Sequence, residues 1–337
     1  VIYGGRGEDH LIGGADNDYL DGGRGDDIVS GRGGDDIVAG GDGDDDVFGG
    51  AGDDTLIAGR GEDTIYDNHA GDRDRVFAQA EDDVSIDDGN ATNVEIFEVY
   101  DPDTSQIRTS GTLEERDRIQ SDLDTLASIP EGAAVLESID TNTGGHTVTI
   151  GIDATDGSSA SPASSAGTYE FGGVNGNDSD GTPNADVGQD GTVSYNPTTT
   201  RLYDSKPDED WHDTPPVVIL HHELLHTEDY VHGARDPGLS QQVEHDGNGN
   251  PVPSGPGAAP PAVMTYPPVV QPDGTVVADP IPPRNNRELS VVGLPFDEDD
   301  RLNSEPAAPA TEVDPNTRQH TENSLRDQLG LPRRRYY

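Results

Sequence analysis

The chain has no cysteine among its 337 residues, which excludes disulfides and thiolate metal sites. Any ion it binds is held by nitrogen and oxygen. Lys206 is its single lysine, and 20 basic residues against 67 acidic ones give a formal charge of −47. That balance excludes nucleic acid and anionic membrane surfaces as electrostatic partners. Aromatic residues make up only 5% of the chain, and no apolar run reaches the roughly 20 residues that a membrane-spanning helix needs. Abundant instead are glycine, with 43 residues, proline, with 25, and aspartate. Such a lysine-poor, acidic surface suits a salty or calcium-rich exterior, although solubility alone also accounts for it.

The glycine and aspartate are ordered. From Gly4 the chain repeats every nine residues through seven copies, GGRGEDHLI, GGADNDYLD, GGRGDDIVS, GRGGDDIVA, GGDGDDDVF, GGAGDDTLI and AGRGEDTIY. The sixth position is always aspartate: Asp9, Asp18, Asp27, Asp36, Asp45, Asp54 and Asp63. The eighth is always aliphatic, from Leu11 to Ile65. A flexible acidic linker would not keep both in phase. Glycines make tight turns that aim carbonyls inward, each aspartate adds a carboxylate, and stacked turns can share an ion, while the aliphatic residue of each short strand enters a narrow core. The pattern resembles the calcium-binding nonapeptide of RTX proteins and predicts a parallel β-roll over residues 1–66. Without calcium the carboxylates repel and little apolar surface offsets chain entropy. Disorder is therefore expected in chelator and folding in millimolar calcium. Val1-Ile2-Tyr3 looks like the end of an earlier copy, so the solenoid is expected to begin upstream.

A second pattern carries chemistry. Pro215-Pro216-Val217-Val218-Ile219-Leu220 leads into His222-Glu223-Leu224-Leu225-His226, an HExxH motif inside an apolar helix. Chance places such a motif in a chain this long on the order of once in a hundred. Histidines four apart share a helix face, so both imidazoles can reach one ion, and the glutamate between them can take a proton from water at that ion. Asp213 or Thr214 suits the cap, Pro215 the first helical position, and Gly233 the end. His221 lies about 100° around the helix from His222, so it reads as packing or support behind the ligands. The motif points to a zinc metallopeptidase with Glu223 as general base.

Composition and element order divide the rest. Residues 67–111 read as a capping or linker segment whose Val94–Tyr100 alternates like a strand that could close the roll. A helix is predicted around Leu113, Ile119, Leu123 and Leu126, then a second around residues 132–136. Strands are predicted at residues 147–152, 193–195 and 201–203 before the active helix. Residues 112–337 therefore read as an α+β zincin-like domain, with a proline- and glycine-rich insertion at 247–283.

On the HExxH helix, on Asn286 to Pro295 and on Thr321 to Tyr337, this domain resembles the NleD-type effector zinc peptidases of bacterial pathogens. The resemblance implies a zinc-dependent endopeptidase that acts on proteins, host proteins among them, and is delivered into host cells. The calcium repeats depart from that family and accompany secretion by another route. Two histidines leave an ion too open, so a third ligand is required. Glu288 is the first choice, because its surroundings also resemble the third-ligand segment of clostridial neurotoxin light chains. Glu322 is second, and Glu244, His232, His245 and Asp229 are weaker. Arg326, or Tyr230, Tyr336 or Tyr337, could stabilise the oxyanion. The leading expectation is thus a secreted, effector- or toxin-like zinc peptidase with a calcium-dependent folding module. The competing one is a calcium-binding adhesin whose HExxH domain is inactive.

Overall fold

The structure is a computed structural model and describes residues 1–67, 72–86, 93–100, 106–141, 144–153, 159–162, 190–198, 214–232 and 320–334, with short segments at 239–240, 269–270, 276–277, 284–285, 292, 296–297 and 312–313. The repeats form a roll of two parallel sheets. One contains β1 (Ile2–Arg6), β3 (Tyr19–Arg24), β5 (Ile37–Asp42), β7 (Thr55–Arg60), β9 (Arg75–Ala78) and β11 (Asn93–Ile96) in that order. The other contains β2 (His10–Ile12), β4 (Ile28–Gly33), β6 (Asp46–Ala51), β8 (Thr64–Asp67) and β10 (Asp83–Ile86). Two nine-residue copies make one turn, so Leu20 pairs with Val38 and Val38 with Leu56. Strand alternation sends every eighth-position side chain, Leu11 through Ile65, into one buried core between the sheets.

Glycine is required where the turns stack. Gly41 has φ +119°, and a Cβ there would meet the Gly23 carbonyl oxygen at 2.1 Å. The equivalent residue of the fourth copy is Arg32, held at φ 79°. Two opposite effects are expected in thermal unfolding of the calcium-loaded protein. Gly41→Ala destabilises by several kcal/mol through strain and collision, whereas Arg32→Gly stabilises by about 1 kcal/mol by relieving left-handed strain. A fall in Tm for Arg32→Gly would contradict the strain at that position.

The roll runs past the boundary expected at residue 66. Within the repeats, each ladder aspartate donates its N–H to the Oδ1 of the aspartate 18 residues on, as Asp36 does to Asp54 at 2.8 Å. Beyond them, Asp54 N–H donates to Asp74 Oδ1 at 2.7 Å and Asp63 N–H to Asp82 Oδ1 at 3.2 Å, across 20 and 19 residues. The extra residues break the nine-residue phase, yet the stacking continues through β9, β10 and β11. The strand expected at Val94–Tyr100 occurs as Asn93–Ile96, paired parallel with β9 at the end of the first sheet.

The second unit is built on a mixed sheet of order β12 (Ile107–Ser110), β13 (Val148–Ile152), β15 (Gly191–Tyr195) and β14 (Ser159–Pro162), antiparallel only between the last two. Among the described residues four helices pack with it: α1 (Leu113–Ala127), α2 (Pro130–Asp140), α3 (Pro216–His232) and α4 (Glu322–Gln328). α1 starts on a capping box between Thr112 and Glu115, and Pro130 opens α2, where its missing N–H has no partner to lose. The helix expected around 132–136 is the middle of α2. The strand expected at 201–203 and the insertion at 247–283 lie outside the described residues, apart from Val269–Val270 and Val276–Val277, which pair antiparallel.

Roll and helical unit share one core. Tyr19, Ile37, Ala39 and Ile57, on the outward face of the first sheet, pack in one buried cluster with Ile119, Leu123 and Leu126 of α1, Leu224 of α3 and Leu325 of α4. The polar seam is equally continuous. Asp122 of α1 accepts from Tyr3 at 3.1 Å and from Tyr195 at 2.8 Å, and Arg60 of the roll donates to Asp124 at 3.0 Å. The fold is thus an N-terminal parallel β-roll followed by an α+β domain.

Candidate metal centre

The apolar run ahead of the motif explains the placement of α3. Val217, Val218 and Leu220 are fully buried, so the helix lies in the core and carries its polar residues inward. Helical structure begins at Pro216, one residue after the proline expected there. His222, Glu223 and His226 are 7%, 8% and 6% exposed. The Nε2 atoms of His222 and His226 are 3.2 Å apart, with the rings at 77°. Two imidazole nitrogens bound at about 2.0–2.1 Å in a tetrahedral site stand about 3.3 Å apart, so this pair fits one zinc ion.

The opposite nitrogen of His222 is gripped from behind. Its Nδ1 lies 2.9 Å from Glu322 Oε2, and Arg326 and Arg334 donate to the same carboxylate at 2.7 and 3.2 Å. Burial pushes the Glu322 carboxyl up, but Arg334, the His222 ring and Arg326 together hold it well below the usual carboxylate range. A carboxylate there accepts the Nδ1–H and leaves Nε2 with its lone pair toward an ion, the arrangement that orients ligating histidines. α4 brings Glu322 to this place. Its N-cap Thr321 accepts from Ser324 N–H at 3.1 Å and donates its own N–H to Glu131 of α2 at 2.9 Å.

Several sequence expectations change here. Glu322, the second choice for third ligand, sits on the far nitrogen of His222 and cannot join an ion bound at Nε2. Arg326, expected at the oxyanion, is 0% exposed and donates to Glu322, to Thr214 Oγ1 at 2.7 Å and to the Pro332 carbonyl at 3.1 Å. It braces Glu322 instead of facing substrate. His221 is packing, as expected: its Nε2 lies 3.3 Å from the Thr321 carbonyl, and burial pushes its pKa down to about 4, so the ring stays neutral. Glu288, Glu244, His245, Tyr336 and Tyr337 lie outside the described residues, as do the side chains of Asp229, Tyr230 and His232. Leu239–Ser240, shortly after α3, pairs with Arg284–Asn285, shortly before Glu288. Among the described residues no third His, Asp or Glu completes a ligand set.

The roll offers a different kind of site. Its sixth-position aspartates form two ladders, Asp9–Asp27–Asp45–Asp63 and Asp18–Asp36–Asp54, each step a 2.7–2.8 Å bond from backbone N–H to Oδ1. The second oxygen of Asp9, Asp27, Asp36, Asp45 and Asp63 is buried and without a hydrogen-bond partner. Burial, with neighbouring carboxylates, pushes Asp27 and Asp36 up to about 6, Asp63 to about 7 and Asp45 and Asp54 to about 8. Stacked buried carboxylates with orphaned oxygens call for a counter-charge, which an oxygen-coordinated calcium ion would supply. Asp74 and Asp82 extend the ladders and escaped the sequence reading, because loops of altered length carry them out of phase.

The family model of the M91 peptidases, described as an effector protein, matches residues 103–337. The RTX calcium-binding nonapeptide repeat model matches residues 1–29 and 30–65. No curated protein matches the chain. With more than half of its length under the first model, the chain belongs to the M91 peptidase effector family, and it carries RTX calcium-binding repeats ahead of the peptidase domain.

Proposed function

We propose that the chain is a zinc-dependent endopeptidase of protein substrates, secreted and delivered to host cells, whose roll folds when it meets external calcium. The observation that carries this reading is the convergence of the His222 and His226 Nε2 atoms at 3.2 Å while Glu322 occupies the opposite nitrogen of His222. His222 and His226 would hold the ion, with Glu288 as third ligand. A bound zinc polarises the scissile carbonyl and acidifies water beside it. Glu223, the next residue along the same helix, takes the proton of the attacking water and returns it to the leaving amine. Arg326 and Arg334 keep Glu322 ionised, and Glu322 holds the His222 ring with its Nε2 toward that of His226. Export is supported by the roll, whose orphaned carboxylates need a calcium concentration found outside cells.

Metal analysis together with cleavage of casein or a peptide library tests this function. One zinc per chain is expected, with cleavage in millimolar calcium lost to a zinc-selective chelator and restored by zinc. A zinc-loaded chain that cleaves no protein would favour a calcium-binding surface protein with an inactive domain. Glu322→Gln is expected to weaken zinc affinity by roughly 10–100-fold, the usual cost of losing a carboxylate behind a ligating histidine. An unchanged affinity in competition with a chromophoric chelator would remove Glu322 from the site.

A further inference from the structure

We propose that the calcium-loaded roll positions the HExxH site through α4, so that calcium switches the peptidase and does more than fold a secretion module. This inference rests on the peptidase reading for its consequence. Its structural basis is separate.

One edge of the roll faces both calcium and the peptidase domain. Tyr19, Ile37, Thr55 and Arg75 are in register at the starts of β3, β5, β7 and β9. Each directly follows a ladder aspartate, namely Asp18, Asp36, Asp54 and Asp74. Tyr19 and Ile37 lie in the shared core. Thr55 donates its Oγ1 hydrogen to the Leu329 carbonyl at the end of α4, a buried bond of 3.0 Å. Gly330 follows at φ +70° and lies so close to Arg75 that a Cβ there would be 2.5 Å from Nη1. The C-terminal end of α4 therefore rests on residues one step from the calcium ladder.

The other end of α4 reaches the active helix. Glu322 holds His222 Nδ1, Arg326 ties Glu322 to Thr214 just before α3, and the Thr321 carbonyl faces His221. A seven-residue helix has too few internal hydrogen bonds to persist alone, so its order comes from these docking contacts. Removing calcium frees the carboxylates of Asp36 and Asp54 to repel, loosens the starts of β5 and β7, and withdraws the platform beneath Leu329. α4 then loses its seat, Glu322 leaves His222, and the imidazole pair loses its preset orientation. Thr55 and Arg75 are thus positioning residues for the reaction, acting through α4.

The test uses the full chain and reads amide exchange of residues 322–329 without zinc, and zinc affinity by competition with a zinc-selective chromophoric chelator, each in millimolar calcium and after exhaustive dialysis into calcium-free buffer. Calcium is expected to slow exchange of α4 and to tighten zinc by about tenfold or more, within the usual range for coupled sites. In calcium, Thr55→Val should lose part of both effects and Thr55→Ser should keep them. Far-UV circular dichroism checks that each variant still folds its roll. Should Thr55→Val fail that check, the wild-type comparison decides alone. The proposal is overturned if calcium folds the roll while α4 exchange or zinc affinity stays the same. Shielding of α4 by calcium in a chain that binds no zinc would keep the coupling and remove the peptidase reading. Equal zinc affinity with cleavage in both conditions would do the reverse.

Discussion

Glu223→Gln is expected to lower kcat for protein cleavage by about 10²–10⁴-fold, the usual worth of a positioned general base. The amide has nearly the shape of the carboxylate, so packing of a residue only 8% exposed is preserved. What is lost is the ability to accept a proton from water and give it to the leaving amine. The two imidazoles, on either side of it along α3, are untouched, so zinc content should stay at one per chain and the thermal midpoint should barely move. Loss of kcat with retained zinc separates a catalytic carboxylate from a structural one. Cleavage within a few-fold of the unaltered protein would remove Glu223 from the chemistry.

Calcium removal is expected to produce the largest structural change, and its size should depend on pH in an unusual direction. In the metal-free roll, burial raises Asp27 and Asp36 to about 6, Asp63 to about 7 and Asp45 and Asp54 to about 8, above the ordinary carboxyl value near 3.9 in an unfolded chain. A folded-state pKa above the unfolded one means that the fold binds protons more tightly. Its contribution to stability is complete below about pH 4 and is lost as pH rises through 6 to 8. In chelator, the sheet signal in far-UV circular dichroism should therefore persist near pH 5 and disappear near pH 8, while millimolar calcium should retain it at pH 8. Calcium uptake at pH 7 should release protons, because the ion takes the ionised carboxylates. A metal-free chain that is equally unfolded at both pH values would contradict the burial of these aspartates.

Much of this was legible in the sequence, for identifiable reasons. The roll shows itself because each nine-residue copy fixes half a turn, and position eight can face only one way in a strand. Leu11 to Ile65 accordingly form the inner core. The active helix shows itself because spacing four on a helix converts directly into a shared face. What escaped depends on distance in space. Glu322 meets His222 across 100 residues of sequence, and nothing local distinguishes it from a solvated helix-surface acid. Arg326 invited an oxyanion role because a cationic side chain near an HExxH site is chemically apt, yet its three donor contacts point to Glu322, Thr214 and Pro332. The shared core escaped for a similar reason. Tyr19, Ile37 and Ile57 alternate in their strands as outward residues, and only the docking of α1 and α4 converts that outer face into an interior. Among the described residues the roll therefore forms one wall of the core it shares with the helices.

One ion between two imidazoles is the centre of the proposed site, and anomalous scattering from a crystal grown with zinc measures it directly. The expected result is a single strong peak about 2.0–2.1 Å from Nε2 of both His222 and His226, completed by an oxygen of the Glu288 carboxylate, with Glu322 still on Nδ1. A peak bound through Nδ1, or none near α3 while the calcium column is filled, would contradict it.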